Sequence, residues 1–253
     1  MKLSDPSLKP FQLLEALSDA PSDGLGITEL SEKSGLSKST AFRLANALAD
    51  AGYLIRNAST KRYKLGYRLL RIVSSVMNNL QVKDVAHRYL LELSERTRET
   101  IHLAKRDEFS GVYIDKIDSP QPVGLLSKVG HNFTLHATGV GKVLLAWLPE
   151  EERRRVYEKA GLPKQTEHTI TDPEQMEREL EQIRRQGYAL DRMENRDGVV
   201  CIAAPIFGSR GQVEASFSVS GPSFRYTLAD AEGWIGLVGD IAAQISRDMG
   251  YQG

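Results

Sequence analysis

The feature that most constrains this chain is a change of hydrophobic period within its first 66 residues. Up to about residue 51, apolar residues recur at the three-and-four spacing of helices. From 53 to 66 the pattern shortens to two β-rich runs. Residues 8–20 (LKPFQLLEALSDA) place Phe11, Leu13, Leu14 and Leu17 on one stripe, which predicts an amphipathic helix ending near Pro21. PSDGLG reads as a turn. ITELSEKSG predicts a short second helix, with Thr28 as its cap, Glu29 in its first turn and Gly35 at its C-terminal end. SKSTAFRLANALADAGYL predicts a third helix opened by the N-cap Ser37 and closed by Gly52. Its buried face is Ala41, Leu44, Ala45, Leu48 and Ala49. YLIR and KRYKLG then flank the polar turn NAST as a β-hairpin.

A helix, a short turn, a second helix and a hairpin is the order of a winged helix-turn-helix, whose second helix enters the major groove of DNA with its N-terminal residues near base edges. That end here carries Ser37, Lys38, Ser39 and Thr40. Ser39, Arg43 and Asn46 lie at i, i+4 and i+7, opposite the alanine/leucine face. Arginine suits guanine O6 and N7, and asparagine suits adenine N6 and N7. Arg56, Lys61, Arg62 and Lys64 on the hairpin are suited to phosphate or minor-groove contact. The whole chain has no net charge, but residues 33–71 hold nine basic residues against one acid, Asp50. A basic block beside an acidic remainder is the footprint of a small DNA-contacting module on a regulatory body; a solvated basic face without a partner is the alternative.

At 253 residues the chain is long enough for two domains. Residues 67–80 (YRLLRIVSSVMNNL) return to helical spacing through Leu69, Ile72, Val73, Val76 and Leu80. The domain boundary is placed in or after this helix, near Asn78–Gln81, giving a head over 1–66, a linker helix over 67–81 and a second domain over 82–253. The second domain reads as α+β. A helix is predicted over 82–98, and strands over 100–106, 111–118 and 123–129. A buried helix opens at the glycines of GVGKVLLAWL, followed by two charged helices. VVCIAAPIF and VEASFSVSG are strands around the turn SRGQ, and a last helix runs from about Thr227 to Met249.

Several classes of function are disfavoured. No apolar run approaches the roughly 18 residues of a membrane helix, and MKLSDPSLKP has no apolar segment of a secretory signal. The lone Cys201 forms no internal disulfide, which fits a cytoplasmic protein. The five histidines follow no metal-ligand spacing, and no nucleophile-elbow or dinucleotide fingerprint occurs, so neither enzyme chemistry, a metal nor a cofactor is expected. GVGK is not a phosphate-binding loop. That motif needs a glycine where His136 stands and a hydroxyl residue where Val143 stands.

GITELSEKSGLSKSTAFRLANALADAGYL with its basic hairpin resembles the IclR family of bacterial transcription regulators. The likeness continues, in order, through ETIHLAKRD, GVYIDKIDS, VGHNFTLHATGVGKVLLAWLPEEE, HTITDPEQMERELEQIRRQGYALD and CIAAPIFGSRGQVEASFSVSGPSFR. ETIHL, VYIDKIDS and ISRDMGY are most similar to the branch of 2-keto-3-deoxygluconate repressors. The resemblance implies an N-terminal winged helix-turn-helix, a dimerising linker helix and a C-terminal GAF/PAS-like effector-binding domain, in a homodimer or a dimer-of-dimers tetramer. It also implies double-stranded operator DNA and a small carboxylate as partners, and control of a carbon-catabolism operon by repression. Regulation of aromatic-acid or glyoxylate metabolism, or activation, is the alternative.

For the effector, the resemblance places a carboxylate at the turn before a helix, here Gly139 and Val140. Backbone amides at a helix start form an anion site, although Gly139 and Gly141 can equally serve close packing. Asp191 and Cys201 match family pocket positions; taken by themselves they read as a strand-end aspartate and a small buried hydrophobe. Ser218 and Ser220 share one strand face, with Phe217 and Val219 on the other. Those serines either line a cavity or face water, and the resemblance favours the cavity. Leu125, Leu126 and Val199 are expected as its apolar wall.

Overall fold

A computed structural model describes residues 6–77 and 81–252. It divides into two compact units, Met1–Leu80 and Gln81–Gly253. The boundary expected near Asn78–Gln81, with Leu80 of the linker helix, falls largely on residues 78–80, outside the described residues.

In the first unit, a 3-10 turn (Pro6–Leu8) leads into α1 (Lys9–Ser18), then α2 (Ile27–Ser34), α3 (Lys38–Asp50), the antiparallel pair β1 (Leu54–Arg56) and β2 (Tyr63–Leu65), and α4 (Arg68–Met77). Its core is Leu13, Leu17, Leu25, Leu30, Ala41, Ala45, Leu54 and Tyr63. Alanines on the inner face of α3 let it lie close against α1 and α2. Phe11, expected in the core stripe of α1, is 54% exposed, because Leu13 and Leu17 already fill the inner face. The cap of α2 is Gly26 and not Thr28: the Glu29 carboxylate accepts the Gly26 N–H at 2.7 Å. Gly35 ends that helix at φ +68° and Ser37 caps α3, both as expected. The hairpin is held to the helices through a bridge between Leu25 and Tyr63. Gly24 makes this possible, since a Cβ there would stand 2.2 Å from the Tyr63 carbonyl oxygen. On α4, Leu70, Ile72 and Val73 are exposed.

The second unit is built on a six-stranded antiparallel sheet of order β5-β4-β3-β8-β7-β6. Its strands are β3 (Thr100–Asp107), β4 (Ser110–Ile117), β5 (Asn132–Phe133), β6 (Ala189–Arg192), β7 (Val199–Phe207) and β8 (Val213–Pro222). One face packs against α5 (Gln81–Thr97) and α10 (Ile235–Asp248). The other packs against α6 (Gly139–Ala146), which also contacts α8 (Pro173–Gln186). The charged helix α7 (Glu150–Ala160) carries its apolar stripe on Val156. Both faces are covered, so β7 and β8 are buried almost throughout.

Two further expectations need correction. Residues 123–129 form no strand, because their carbonyls are taken by a side chain: Lys116 Nζ donates to the carbonyls of Leu125 (2.8 Å) and Ser127 (2.7 Å). The last helix is two, α9 (Leu228–Gly233) and α10, meeting at Trp234. The two-residue edge strand β5 is not anticipated, and β6 reads only as a strand ending at Asp191.

Candidate functional site

The first candidate site is the outer face of α3 and the hairpin. Ser37 holds the helix start: its Oγ accepts the Thr40 N–H at 3.4 Å and donates to Thr40 Oγ1 at 2.9 Å. Lys38, Ser39 and Arg43 are exposed, whereas Thr40 and Asn46 are half-buried. Asn46 Oδ1 accepts the Tyr63 hydroxyl at 2.9 Å, which ties the exposed stripe to β2. Arg56, Lys61 and Lys64 are exposed. Lys61 sits at φ +58° and its Nζ donates to the Ala58 carbonyl at 2.6 Å. Arg62 differs from its expected role. Its guanidinium turns back to the Gly24 carbonyl (2.7 Å), Asp23 (3.1 Å) and Glu29 (3.0 Å), bracing the hairpin against the turn before α2.

The second candidate site is a cavity of about 360 Å³ between the sheet and the start of α6. Strand register builds its floor. Asp191 pairs with Cys201 and Cys201 with Ser220, while Ala203 pairs with Ser218 and Ser218 with His102. Directly opposed residues share a face, so these side chains form two adjacent rows under one opening. Gly139, Val140, Asp191, Cys201, Ser218, Ser220, Leu125 and Val199 all line the cavity, so the structure brings the whole expected set together. Leu126 also lines it but is 82% exposed, a residue of the mouth and not of an apolar wall.

The glycines of α6 do different work. A Cβ on Gly139 would come within 3.3 Å of the Ala203 side chain, so the missing side chain lets the helix start approach the sheet rows. Gly141 serves packing: a Cβ there would lie 2.3 Å from the Leu135 carbonyl oxygen, and its N–H goes to Thr138 Oγ1 at 3.1 Å. Gly139 and Val140, the first helical residues, border the cavity with amides that have no intrahelical acceptor.

Burial sets the electrostatics. Asp191 is desolvated and neighboured by Glu194, and its carboxyl is pushed up to about 7 despite the opposing pull of Lys142. Desolvation raises the Cys201 thiol well above its usual value, so it is no reactive thiolate. His102, also buried and near Lys116, is lowered to about 3 and is a neutral imidazole. It bridges Ser127 Oγ (Nε2, 2.6 Å) and Ser220 Oγ (Nδ1, 3.3 Å), linking the 118–131 loop to the floor. Beneath Asp191 lies Lys142, wholly buried, donating to Glu194 (2.6 Å), Glu179 (2.9 Å) and the Leu190 carbonyl (2.7 Å).

Sequence reasoning missed His102, Tyr113 and Arg196 in this lining. A histidine inside the apolar run TIHLA was a usable signal. Tyr113 was not legible, because a register shift at Leu103/Ala104 is what sets its ring 4.7 Å from that of His102. Among the described residues no cluster of three His, Cys, Asp or Glu is placed to hold a metal, and no helix is long and apolar enough to cross a membrane.

Comparison with known proteins gives these two sites a family. The IclR helix-turn-helix domain matches residues 9–58. The bacterial transcriptional regulator IclR C-terminal domain matches residues 74–247. The HTH-type transcriptional regulator KdgR of Escherichia coli is 36% identical over 244 residues, covering 96% of this chain and 92% of that one. The crystal structure of the Thermotoga maritima IclR is 36% identical with a TM-score of 0.80, covering 96% of this chain and 98% of that one. An IclR homologue from Microbacterium hydrocarbonoxydans, crystallised with 4-hydroxybenzoate, is 25% identical with a TM-score of 0.82, covering 96% and 98%. These curated relatives are regulators and not enzymes. The chain belongs to the IclR family of bacterial DNA-binding transcriptional regulators.

Proposed function

We propose that this regulator represses a carbon-catabolism operon in the cytoplasm and is released by a small sugar-derived keto acid of the 2-keto-3-deoxygluconate type. The observation that carries the reading is the composition of the cavity. Helix-start amides of Gly139 and Val140 suit a carboxylate, and Asp191, Ser218, Ser220 and neutral His102 suit the hydroxyls of a polyol chain. A two-carbon acid leaves most of a 360 Å³ cavity unfilled. An aromatic acid is the second reading, favoured by the 4-hydroxybenzoate held by one structural relative. It pairs less well with a floor of aspartate, serines and histidine.

In this reading α3 enters the major groove, with Ser39 and Arg43 at base edges. Arg56, Lys61 and Lys64 of the hairpin meet the backbone. The exposed Ile72 and Val73 of α4 form an apolar strip that a second copy covers, giving a homodimer with two heads for two half-sites, which can pair further into a tetramer. Head, linker helix and effector domain correspond to residues 1–66, 67–81 and 82–253. The effector favours one arrangement of the sensor, and the linker helices carry that preference to the spacing of the heads, with a coupling of about 1–3 kcal/mol.

Calorimetry and operator release test this together. 2-keto-3-deoxygluconate is expected to bind and to free the duplex upstream of the regulated operon, while 4-hydroxybenzoate and glyoxylate do neither. Heat and release with 4-hydroxybenzoate alone would transfer the assignment to aromatic acids.

A further inference from the structure

Phe42 stands among the polar groups of the exposed stripe of α3. Ser39, Phe42, Arg43 and Asn46 fall at i, i+3, i+4 and i+7, one continuous line along the outer face of the helix. Polar residues fill the other three positions. Phe42 is a large apolar ring left 46% exposed on the flank of the helix, beside the face that Ala41 and Ala45 bury in the core.

The ring is also held in place. The Arg56 guanidinium of β1 lies over it, 5.9 Å from the ring centroid, and 5.7 Å from the ring of Tyr63. Tyr63 in turn donates its hydroxyl to Asn46 on the same stripe. A chain of interactions, Phe42 to Arg56 to Tyr63 to Asn46, thus braces the outer line of α3 from the hairpin. A ring fixed before binding loses little further freedom when it meets a partner.

We infer that Phe42 is a specificity-determining residue that reads the C5-methyl group of a thymine beside the base contacted by Arg43. The inference rests on the DNA-reading role of α3 proposed above. The major groove offers one apolar feature, the thymine methyl, and aromatic side chains are among the groups that contact it. An apolar ring between two groups suited to hydrogen-bonding base edges fits that feature and no other part of a base edge.

The test uses the full chain and duplexes it selects from a randomised pool at fixed salt. Each thymine of the enriched site is then replaced singly by deoxyuridine, which removes only the methyl. At one position the wild-type protein is expected to bind the uracil duplex about fourfold more weakly, the value of one buried methyl group at about 0.8 kcal/mol. Phe42→Ala and Phe42→Gln, the latter kept as a second variant that preserves helix-forming character, are expected to bind both duplexes alike.

Two results overturn the inference while leaving DNA reading intact: no thymine position sensitive to its methyl in the wild type, or a sensitivity that persists in both variants. Failure to enrich any duplex would remove the DNA-reading role itself, and Phe42 with it. Removing a ring that merely packs against the hairpin would lower affinity for thymine and uracil duplexes equally, leaving the ratio of the two as in the wild type.

Discussion

The two units of this protein put their polar chemistry in opposite places. In the head, small apolar residues such as Ala41 and Ala45 are buried and the hydrogen-bonding groups Ser39 and Arg43 stand on a convex helix surface. In the larger unit, His102, Lys142, Asp191, Glu194, Ser218 and Ser220 are nearly all withdrawn from water, around a concave floor. A convex polar surface suits a macromolecule that brings its own groove, and a concave one encloses a small molecule. The energetic consequence differs too. Surface groups can be removed without disturbing the fold, whereas a buried charge whose partner is removed loses its compensation.

The sharpest way to break this contrast is at Lys142. Lys142→Met should destabilise the protein by about 3–5 kcal/mol, because Glu194 and Glu179 lose their buried cation. Denaturant unfolding measures it, and a loss below about 1 kcal/mol would mean that the network is not held in a desolvated interior. Arg43→Ala should leave the unfolding midpoint unchanged and weaken operator binding by about 1–3 kcal/mol, with relaxed sequence preference. A shifted midpoint would place Arg43 in the fold and not on the DNA.

A third prediction concerns pH. Asp191 has its carboxyl raised to about 7, so it is neutral below that value in the folded protein and ionised above it, while in the unfolded chain it ionises near its usual 3.8. A raised acid in the folded state means that the neutral carboxyl's contribution to stability is fully present below about 3.8 and is lost as pH rises toward 7. An anionic effector should meet a neutral neighbour at pH 6 and a charged one at pH 8, lowering its affinity about tenfold over that range. Asp191→Asn should flatten the profile measured by calorimetry with 2-keto-3-deoxygluconate. A profile unchanged by the substitution would assign the titration to another group.

The smallest effect separates residues within the hairpin. Lys61→Ala with Lys64→Ala should reduce the slope of log affinity against log salt by about 1–2, near 0.9 for each phosphate that is no longer neutralised. Arg62→Ala should instead lower head stability, since its guanidinium serves Gly24, Asp23 and Glu29. A reversal of these two outcomes would exchange the roles of the hairpin's cations.

Much of the fold was legible because its signals are local. Ser37 caps α3 and Gly35 closes α2 as read, since capping depends on neighbours within one turn. The serines of β8 share a face because strand side chains alternate with period two. Failures came where a distant group competed with local pattern. The run 123–129 looks like a strand until Lys116 takes its carbonyls. Arg62 looks like a phosphate contact until the turn before α2 supplies a carbonyl and two carboxylates. Thr28 looks like a cap until Gly24 and Leu25 are drawn to Tyr63, and Gly26 takes the capping position.

The residues by themselves determined most of the order of elements and the alanine-faced third helix with its polar outer line; part of the cavity's lining followed only from the family likeness. Periodicity and capping act within a few residues, so they are written in the chain. Tertiary structure alone decided that Asp191, Cys201 and Ser220 stand side by side, that His102 and Tyr113 join them, and that Asp191 titrates near neutrality. Those facts depend on strand register and on exclusion of water, and both arise only when segments far apart in sequence are packed together.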